Sequence, residues 1–343
     1  MCQDSEGGSS SQLKSMSILP LYACFMEIPA KILKAGRETA VDYDQTAALG
    51  TTAFEKPGLV LSGDHLKWFY EKSFSRGATV ISLTEDGRKV GQIAMVNQLV
   101  MIDGKEEDAS QLVDLFIDKS HRGKRALTML YGEVEKQFSA QKIRFGFGMP
   151  NAKAVRVNEH FFQLKPYLAL DVRMGVTLPL TARQAGTSFK FAAELKNEVI
   201  ALGDRFATPA NENGLKWNGA MLFNRLSAAK FEYALHATDN LLLVSSPRET
   251  RGVKYTLLCG FLRNPAAKVT KRDIRSVTRS ACGIWSRPMF IYAGHYAALP
   301  AMPGFHLPKR IHHSPMLLQV RDFFPERGKF SMDRFQLMDF DFA

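Results

Sequence analysis

The segment LVDLFIDKSHRGKRALTMLY, residues 112–131, joins an apolar run of strand type to an amphipathic helix across a short basic loop. Leu112–Ile117 reads as a strand. Beyond the loop, Ala126, Leu127, Leu130, Val134 and Phe138 recur at helical spacing, which predicts a helix over 123–140. The first turn of a helix presents backbone N–H groups that have no intrahelical acceptor, together with the positive end of the dipole. It is a ready site for phosphate. Gly123 permits close backbone approach, and Arg122, Lys124 and Arg125 add positive charge. Taken alone, the segment fits two readings: a pyrophosphate cradle between a strand end and a helix start, or a basic surface turn leading into an ordinary helix.

Working outward, residues 78–84 and 89–102 are rich in β-formers and flank Glu85-Asp86-Gly87, which predicts a hairpin. Glu106, Glu107 and Asp108 fall in the loop expected before the strand at 112–117. Lys142–Phe147 reads as another strand and 151–162 as a short helix. In the second half, 188–204 reads as a helix, 231–244 and 253–263 as a strand pair, 269–284 as a basic helix and 288–293 as a strand. Residues 315–321 and 335–342 are further strand candidates. Leu66-Lys67-Trp68 is echoed by Leu215-Lys216-Trp217, and a similar order of elements surrounds each copy. That pattern points to a duplicated domain, against chance recurrence of a tripeptide.

Composition bounds these readings. A chain of 343 residues exceeds the size at which one core usually divides, so two domains are expected. The hydrophobic fraction of 45% excludes a disordered chain. Cys2, Cys24, Cys259 and Cys282 are scattered, which excludes a disulfide scaffold and a zinc ribbon and fits a reducing compartment. No apolar run is long enough to span a membrane, and the N-terminus lacks a secretory pattern, so a cytoplasmic location is expected. Residues 1–16 are polar and rich in Gly and Ser, and read as a disordered tail.

The segment around residues 122–127 resembles the coenzyme A-binding motif of the GNAT superfamily of acyltransferases, Arg/Gln-x-x-Gly-x-Gly/Ala after the fourth strand. Here it reads Arg122-Gly123-Lys124-Arg125-Ala126-Leu127. Arg122 matches, whereas Arg125 and Leu127 stand where the motif has small residues. The flanks are similar too: a long hairpin with Gly91-Gln92 on its second strand precedes the segment, and Asn151-Ala152-Lys153-Ala154 opens the helix after the next strand. The resemblance covers about residues 60–180. It implies an α/β fold of two GNAT-like domains, each a mixed, mostly antiparallel central sheet flanked by helices. The expected division is residues 17–182 with the acyl-CoA site and residues 183–343 as a degenerate copy for substrate or partner docking. Leu262-Arg263-Asn264-Pro265-Ala266, after the second hairpin, has no glycines for a cradle.

What the resemblance implies chemically is direct transfer of an acyl group from acyl-coenzyme A, or from an acyl carrier protein, to an amine of a small molecule or peptide. The backbone of Leu115, Phe116 and Ile117 would line the thioester, and a backbone N–H there would stabilise the oxyanion. Arg122, Gly123, Lys124, Arg125, Ala126, Leu127 and Asn151 complete the expected cofactor site. Asp114 is the candidate base for the amine proton; as a strand-end carboxylate it fits a turn hydrogen bond equally well. Family members place a Tyr seven positions beyond Asn151, where this chain has Asn158, and His160 is the candidate substitute acid. Phe145, Phe147, Phe161 and Phe162 read either as an acyl channel or as core aromatics.

The net charge of +11 is not evenly spread. Residues 1–182 hold 22 Lys and Arg against 21 Asp and Glu, and residues 183–343 hold 23 against 13. Lys268, Lys271, Arg272, Arg275 and Arg279 form a positive stripe suited to an acidic carrier protein, an acidic peptide or nucleic acid. Two alternatives to an enzyme therefore stand: a non-catalytic GNAT-like module holding an acidic partner, and a nucleic-acid-binding protein. Sparse aromatic interleaving argues against a single-stranded nucleic-acid platform. His306, His312 and His313 have no acidic or Cys partner at ligand spacing, so no metal is expected. Ser188, Ser227 and Cys282 lack the context of a hydrolase nucleophile.

Overall fold

A computed structural model describes residues 32–54, 60–177, 186–228, 230–308 and 316–340. The first half runs β1 (Leu33–Arg37), α1 (Tyr43–Phe54), α2 (Gly63–Glu71), β2 (Ala78–Glu85), β3 (Arg88–Ile102), β4 (Lys105–Ile117), α3 (Lys124–Ala140), β5 (Phe145–Gly148), α4 (Ala152–Phe162), β6 (Lys165–Ala169) and β7 (Asp171–Val176). The second runs β8 (Thr187–Lys190), α5 (Lys196–Arg205), β9 (Gly214–Leu215), α6 (Gly219–Leu226), β10 (Ala234–Ala237), β11 (Leu241–Thr250), β12 (Val253–Arg263), α7 (Lys271–Ile284), β13 (Met289–Tyr296), β14 (Phe305–His306), β15 (Leu317–Asp322) and β16 (Arg334–Gln336). The expected tail at 1–16, the division at 182/183, and His312 and His313 lie outside the described residues.

The hairpins follow from local chemistry. Asp86 and Gly87 both have positive φ (50° and 83°), as do Asp103 and Gly104 (49° and 80°). That is the backbone of a two-residue turn matching strand twist. The second turn corrects the expected loop at 106–108: those residues belong to β4, opposite Leu99–Met101 of β3. Their charge is matched by cations from elsewhere in the fold. Lys216 reaches Glu106 at 2.5 Å, Arg144 reaches Glu107 at 2.8 Å and Arg76 reaches Asp108 at 2.6 Å. The expected helix at 188–204 is instead β8 followed by α5. Leu66-Lys67-Trp68 lies inside α2, whereas Leu215-Lys216-Trp217 begins in β9 and leaves it. The tripeptides are not equivalent, although a strand, two helices, a hairpin, a helix and a strand recur in both halves.

All the strands join one mixed, mostly antiparallel sheet, with β4 parallel to β5 and β12 parallel to β13. Strands cross between the halves. β15 pairs with β5 on one side and β6 on the other (Gln319 opposite Gly148, Leu318 opposite Leu168). β7 pairs with β13 along Asp171–Val176. β3 continues through β9 and β16 to β13, which makes the two halves one surface.

Helix α3 covers one face of the first half with Leu130, Val134 and Phe138, and α7 covers the second with Ile274, Val277 and Ala281. Another apolar cluster spans both halves and includes Trp68, Phe74, Trp217 and Phe335. Burial of each such side chain is worth about 1.5–3 kcal/mol. The Trp68 indole donates to the Asn224 carbonyl at 2.9 Å and that of Trp217 to Asp339 Oδ1 at 2.7 Å. The buried Glu212 accepts from Arg334 Nη1 and Arg263 Nε, both at 2.7 Å, and from the Tyr296 hydroxyl at 2.9 Å. These partners offset the cost of taking its charge out of water.

Candidate functional site

The site begins with one extra residue in β4. Gln92 of β3 faces Phe116 and Ala94 faces Val113, so Ile93 alone opposes both Asp114 and Leu115. This is a β-bulge, which bends the strand and releases its backbone from the ladder. Asp114 takes up the distortion with φ of +50°, a left-handed conformation that Asp and Asn tolerate better than other side chains. Its carboxylate accepts a 2.7 Å hydrogen bond from the Tyr70 hydroxyl, which itself accepts from Gln92 Nε2 at 2.9 Å. Burial, reinforced by the Asp114 charge, pushes the Tyr70 phenol well above its ordinary range, so it remains a donor.

β4 and β5 pair only from Ala109/Phe145 to Gln111/Phe147. Past that point they separate, and a cavity of about 180 Å³ opens between them. Ile93, Asp114, Leu115, Met149, Asn151 and Asn158 are among its lining residues, with Phe54 at the end of α1 and Tyr131 from α3. The side-chain Oδ1 of Asn151 caps α4, accepting from the backbone N–H groups of Lys153 and Ala154 at 3.0 Å each. Asn158 is buried and accepts from the Tyr131 hydroxyl at 2.5 Å while donating to Gln319 Oε1 at 3.2 Å. Burial raises the Tyr131 phenol far enough that it stays protonated at neutral pH.

The start of α3 lies just beyond the end of β4. Gly123 is its N-cap, with φ 156° and ψ 176° and no side-chain capping bond. This region of backbone space is open essentially to glycine alone. A side chain built there would meet nothing within 4 Å. The first-turn N–H groups at Lys124, Arg125 and Ala126 therefore receive no cap from a side chain at Gly123. Lys124 and Arg125 are exposed. Arg122 is used differently: its guanidinium donates to the carbonyls of Ile117, at 3.0 Å, and of Ala53. It fastens the end of β4 to α1.

The fold thus brings Asp114, Leu115 and Asn151 into one cleft. Phe116 packs behind it, with its ring edge-on to Phe54 at 5.8 Å. His160 is exposed on the outer face of α4, its ring against Phe161 at 4.8 Å, and does not line the cleft. Phe145, Phe147 and Phe162 are core aromatics, meeting Phe330, Phe335 and Tyr131 respectively. Tyr70 and Tyr131 are absent from the sequence reading. Tyr131 continues the apolar stripe of α3 between Leu127 and Val134, so its periodicity was legible; the destination of its hydroxyl depends on α4.

The second half repeats the bulge but not the cavity. Val244 faces Gly260 and Ser245 faces Leu258, leaving Cys259 as the extra residue of β12. β13 leaves β12 after Tyr292 and pairs with β16 from Gly294. The Gln336 side chain then accepts from the Phe261 N–H and donates to the Phe261 carbonyl, each at 2.9 Å. A Cβ on Gly260 would come within 2.2 Å of the Met338 sulfur. Chain fills the space that stays open in the first half.

Other candidates resolve as structure. Ser188 meets His236 Nδ1 at 3.1 Å, but the imidazole has 0% exposure, and desolvation lowers its pKa to about 3. Burial pushes the Cys282 thiol up to about 12. His306 pairs with Asp171 at 2.6 Å, and no group of three metal-ligating side chains occurs among the described residues. None of their helices is long and apolar enough to cross a membrane.

No protein-family model matches the sequence, and no curated protein does. Solved structures do match. A conserved Enterococcus faecalis V583 protein described as a probable N-acyltransferase has a TM-score of 0.61 at 12% identity, covering 85% of this chain and 73% of its own. A GCN5-related N-acetyltransferase from Anabaena variabilis has a TM-score of 0.56 at 10% identity, with coverage of 85% and 73%. Saccharomyces cerevisiae N-myristoyltransferase, solved with bound myristoyl-CoA, has a TM-score of 0.51 at 10% identity, covering 89% and 80%. At this identity the likeness establishes the fold, and that fold is the one GCN5-related N-acetyltransferases share.

Proposed function

We propose that this protein is an N-acyltransferase that moves an acyl group from acyl-coenzyme A to an amine. The observation that carries the reading is the bulge at Asp114–Leu115 with the loss of pairing beyond Gln111/Phe147, ending beside an uncapped helix start at Gly123. Backbone released from the ladder can hydrogen-bond an extended donor arm, and the α3 N-terminus with Lys124 and Arg125 suits its pyrophosphate. The neighbours support the donor class: one of them was solved holding myristoyl-CoA.

In this reading the thioester lies along Leu115–Ile117 with its carbonyl oxygen toward a β4 backbone N–H, which stabilises the developing negative charge. The amine nitrogen attacks the carbonyl carbon. A C–N bond forms, the C–S bond breaks, and the electron pair leaves on sulfur. Asp114 takes the proton from the attacking amine, held for that task by Tyr70. The thiolate is a good enough leaving group to depart without a side-chain acid and takes its proton from solvent, while the Tyr131 hydroxyl stays on Asn158.

The test has two arms. Coenzyme A and acetyl-CoA should raise the melting temperature, by about 2.7 kcal/mol of added stability at a hundredfold excess over Kd. Acyl-CoA thioesters of graded length, offered with a pool of primary amines, should release free thiol. No thermal shift and no thiol release with any donor would remove the proposal.

A further inference from the structure

A larger cavity, about 630 Å³, lies in the second half between α7, the end of β7 and the loop that follows β13. Among the described residues it lies where the first half has a helix. In the first half, α4 follows β5, and its Phe162 packs against Tyr131 and Phe138 of α3 at 5.4 and 5.6 Å. In the second half, residues 297–304 connect β13 to β14 without a helix, and among the described residues no helix covers the corresponding side of α7.

The lining of this cleft is chemically specific. Ile274, Phe290, Met302 and Phe305 make an apolar floor and wall. Val176 and Phe305 are 67% and 59% exposed at its mouth, an unusual cost for large apolar side chains. Lys271, Arg275 and Arg279, three members of the basic stripe at a spacing of four, line the same cleft. All are exposed, and none has an anionic partner among the described residues. Arg272 lines a separate pocket with Asp239 and Asp273. At the cleft wall Thr278 is only 5% exposed, and its Oγ1 has no hydrogen-bond partner. That oxygen is sealed from the cleft, so the polar groups that face a ligand there are the three cations.

We propose that this cleft is a second binding site, for a monocarboxylate on a hydrocarbon chain. The chain would lie on Ile274, Phe290, Met302 and Phe305. The carboxylate would take charge-assisted hydrogen bonds from Arg275, Arg279 and Lys271. The cavity volume falls within the ~300–1,000 Å³ typical of small-molecule sites. An acidic protein could neutralise the three cations on the rim, but the apolar floor beneath them suits a hydrocarbon chain. The site is independent of acyl transfer.

Calorimetric titration of the whole chain with decanoate, decanol and decylamine tests it. Decanoate should bind one per chain, and decanol and decylamine at least about tenfold more weakly. The Arg275→Ala/Arg279→Ala double variant should lose about tenfold or more, with its melting temperature retained. Arg272→Ala should stay within about twofold, because it faces away. Ala154→Trp, which fills the first-half cleft, should leave decanoate binding unchanged. No binding of decanoate up to about 1 mM overturns the inference. So does equal affinity in the double variant, loss of binding in Ala154→Trp, or binding of an acidic carrier protein without any of decanoate.

Discussion

Replacing Asp114 by Asn separates chemistry from architecture in the first-half cleft. Asp114 has φ of +50° and accepts from Tyr70 at 2.7 Å. Asn tolerates the left-handed backbone as well as Asp does, and its carbonyl oxygen can accept the same phenolic hydrogen. A hydrogen bond to a neutral acceptor is worth about 1 kcal/mol less than one to a charged acceptor. Relief from holding a charge in a cleft offsets part of that loss. Stability should therefore change by no more than about 1 kcal/mol, whereas Asp114→Ala strands the Tyr70 hydroxyl and should cost about 2–3 kcal/mol. A positioned base contributes about 10²–10⁴ in rate, or about 3–5 kcal/mol of barrier. Asp114→Asn should accordingly lower kcat/KM for the amine by at least a hundredfold, with coenzyme A affinity retained. Stopped-flow thiol release against pH, alongside urea unfolding, reads both quantities. An Asp114→Asn enzyme retaining more than about a third of wild-type kcat/KM would refute the assignment of the base.

Gly123→Ala forces a side chain into glycine-only backbone space and should raise KM for acyl-CoA about tenfold while kcat stays within threefold; an unchanged KM would remove the phosphate role of this turn. Gln336→Ala leaves the Phe261 N–H and carbonyl without partners and should cost about 2–5 kcal/mol in urea unfolding. Stability should also fall in acid. Burial holds the His236 pKa at about 3, below its unfolded value of 6.5. The unfolded chain therefore binds the extra proton first, and this contribution is complete above pH 6.5 and lost at about 1.4 kcal/mol per unit as pH falls toward 3. His236→Gln should flatten the decline between pH 6.5 and 4.5, and an unaltered slope would show that other groups govern it.

The parts of the fold legible in sequence were those set by near neighbours. The Asp86-Gly87 turn and the stripe of Ala126, Leu130, Val134 and Phe138 fixed a hairpin and a helix within a residue or two. Helix α1 was not legible because its sequence carries Gly50 and a run of Thr51 and Thr52, which dilute the helical pattern. The cleft was half legible. Asp114 stood out as a carboxylate at a strand end, but its bulge exists only in register against Ile93, across a turn twenty-one positions away. Tyr70 reaches Asp114 from a helix forty-four positions earlier. Nothing near Gln336 or Met338 marks them as the fillers of a distant gap, since their partners Phe261 and Gly260 lie on another strand.

The crossing of β7 and β15 has a consequence for biosynthesis. Chain is made from the N-terminus, and domains ordinarily fold as they emerge. Here β5 and β6 remain open-edged until Leu317–Asp322 arrives between them, after most of the second half has been made. Gln319, which braces Asn158 behind the cleft, arrives with it. The first-half cleft is thus completed only after α7 and β13 of the second half have been made. A nascent or truncated chain carries two unpaired strand edges that invite pairing with other chains, so expression of residues 33–176 alone should yield aggregate rather than a smaller enzyme.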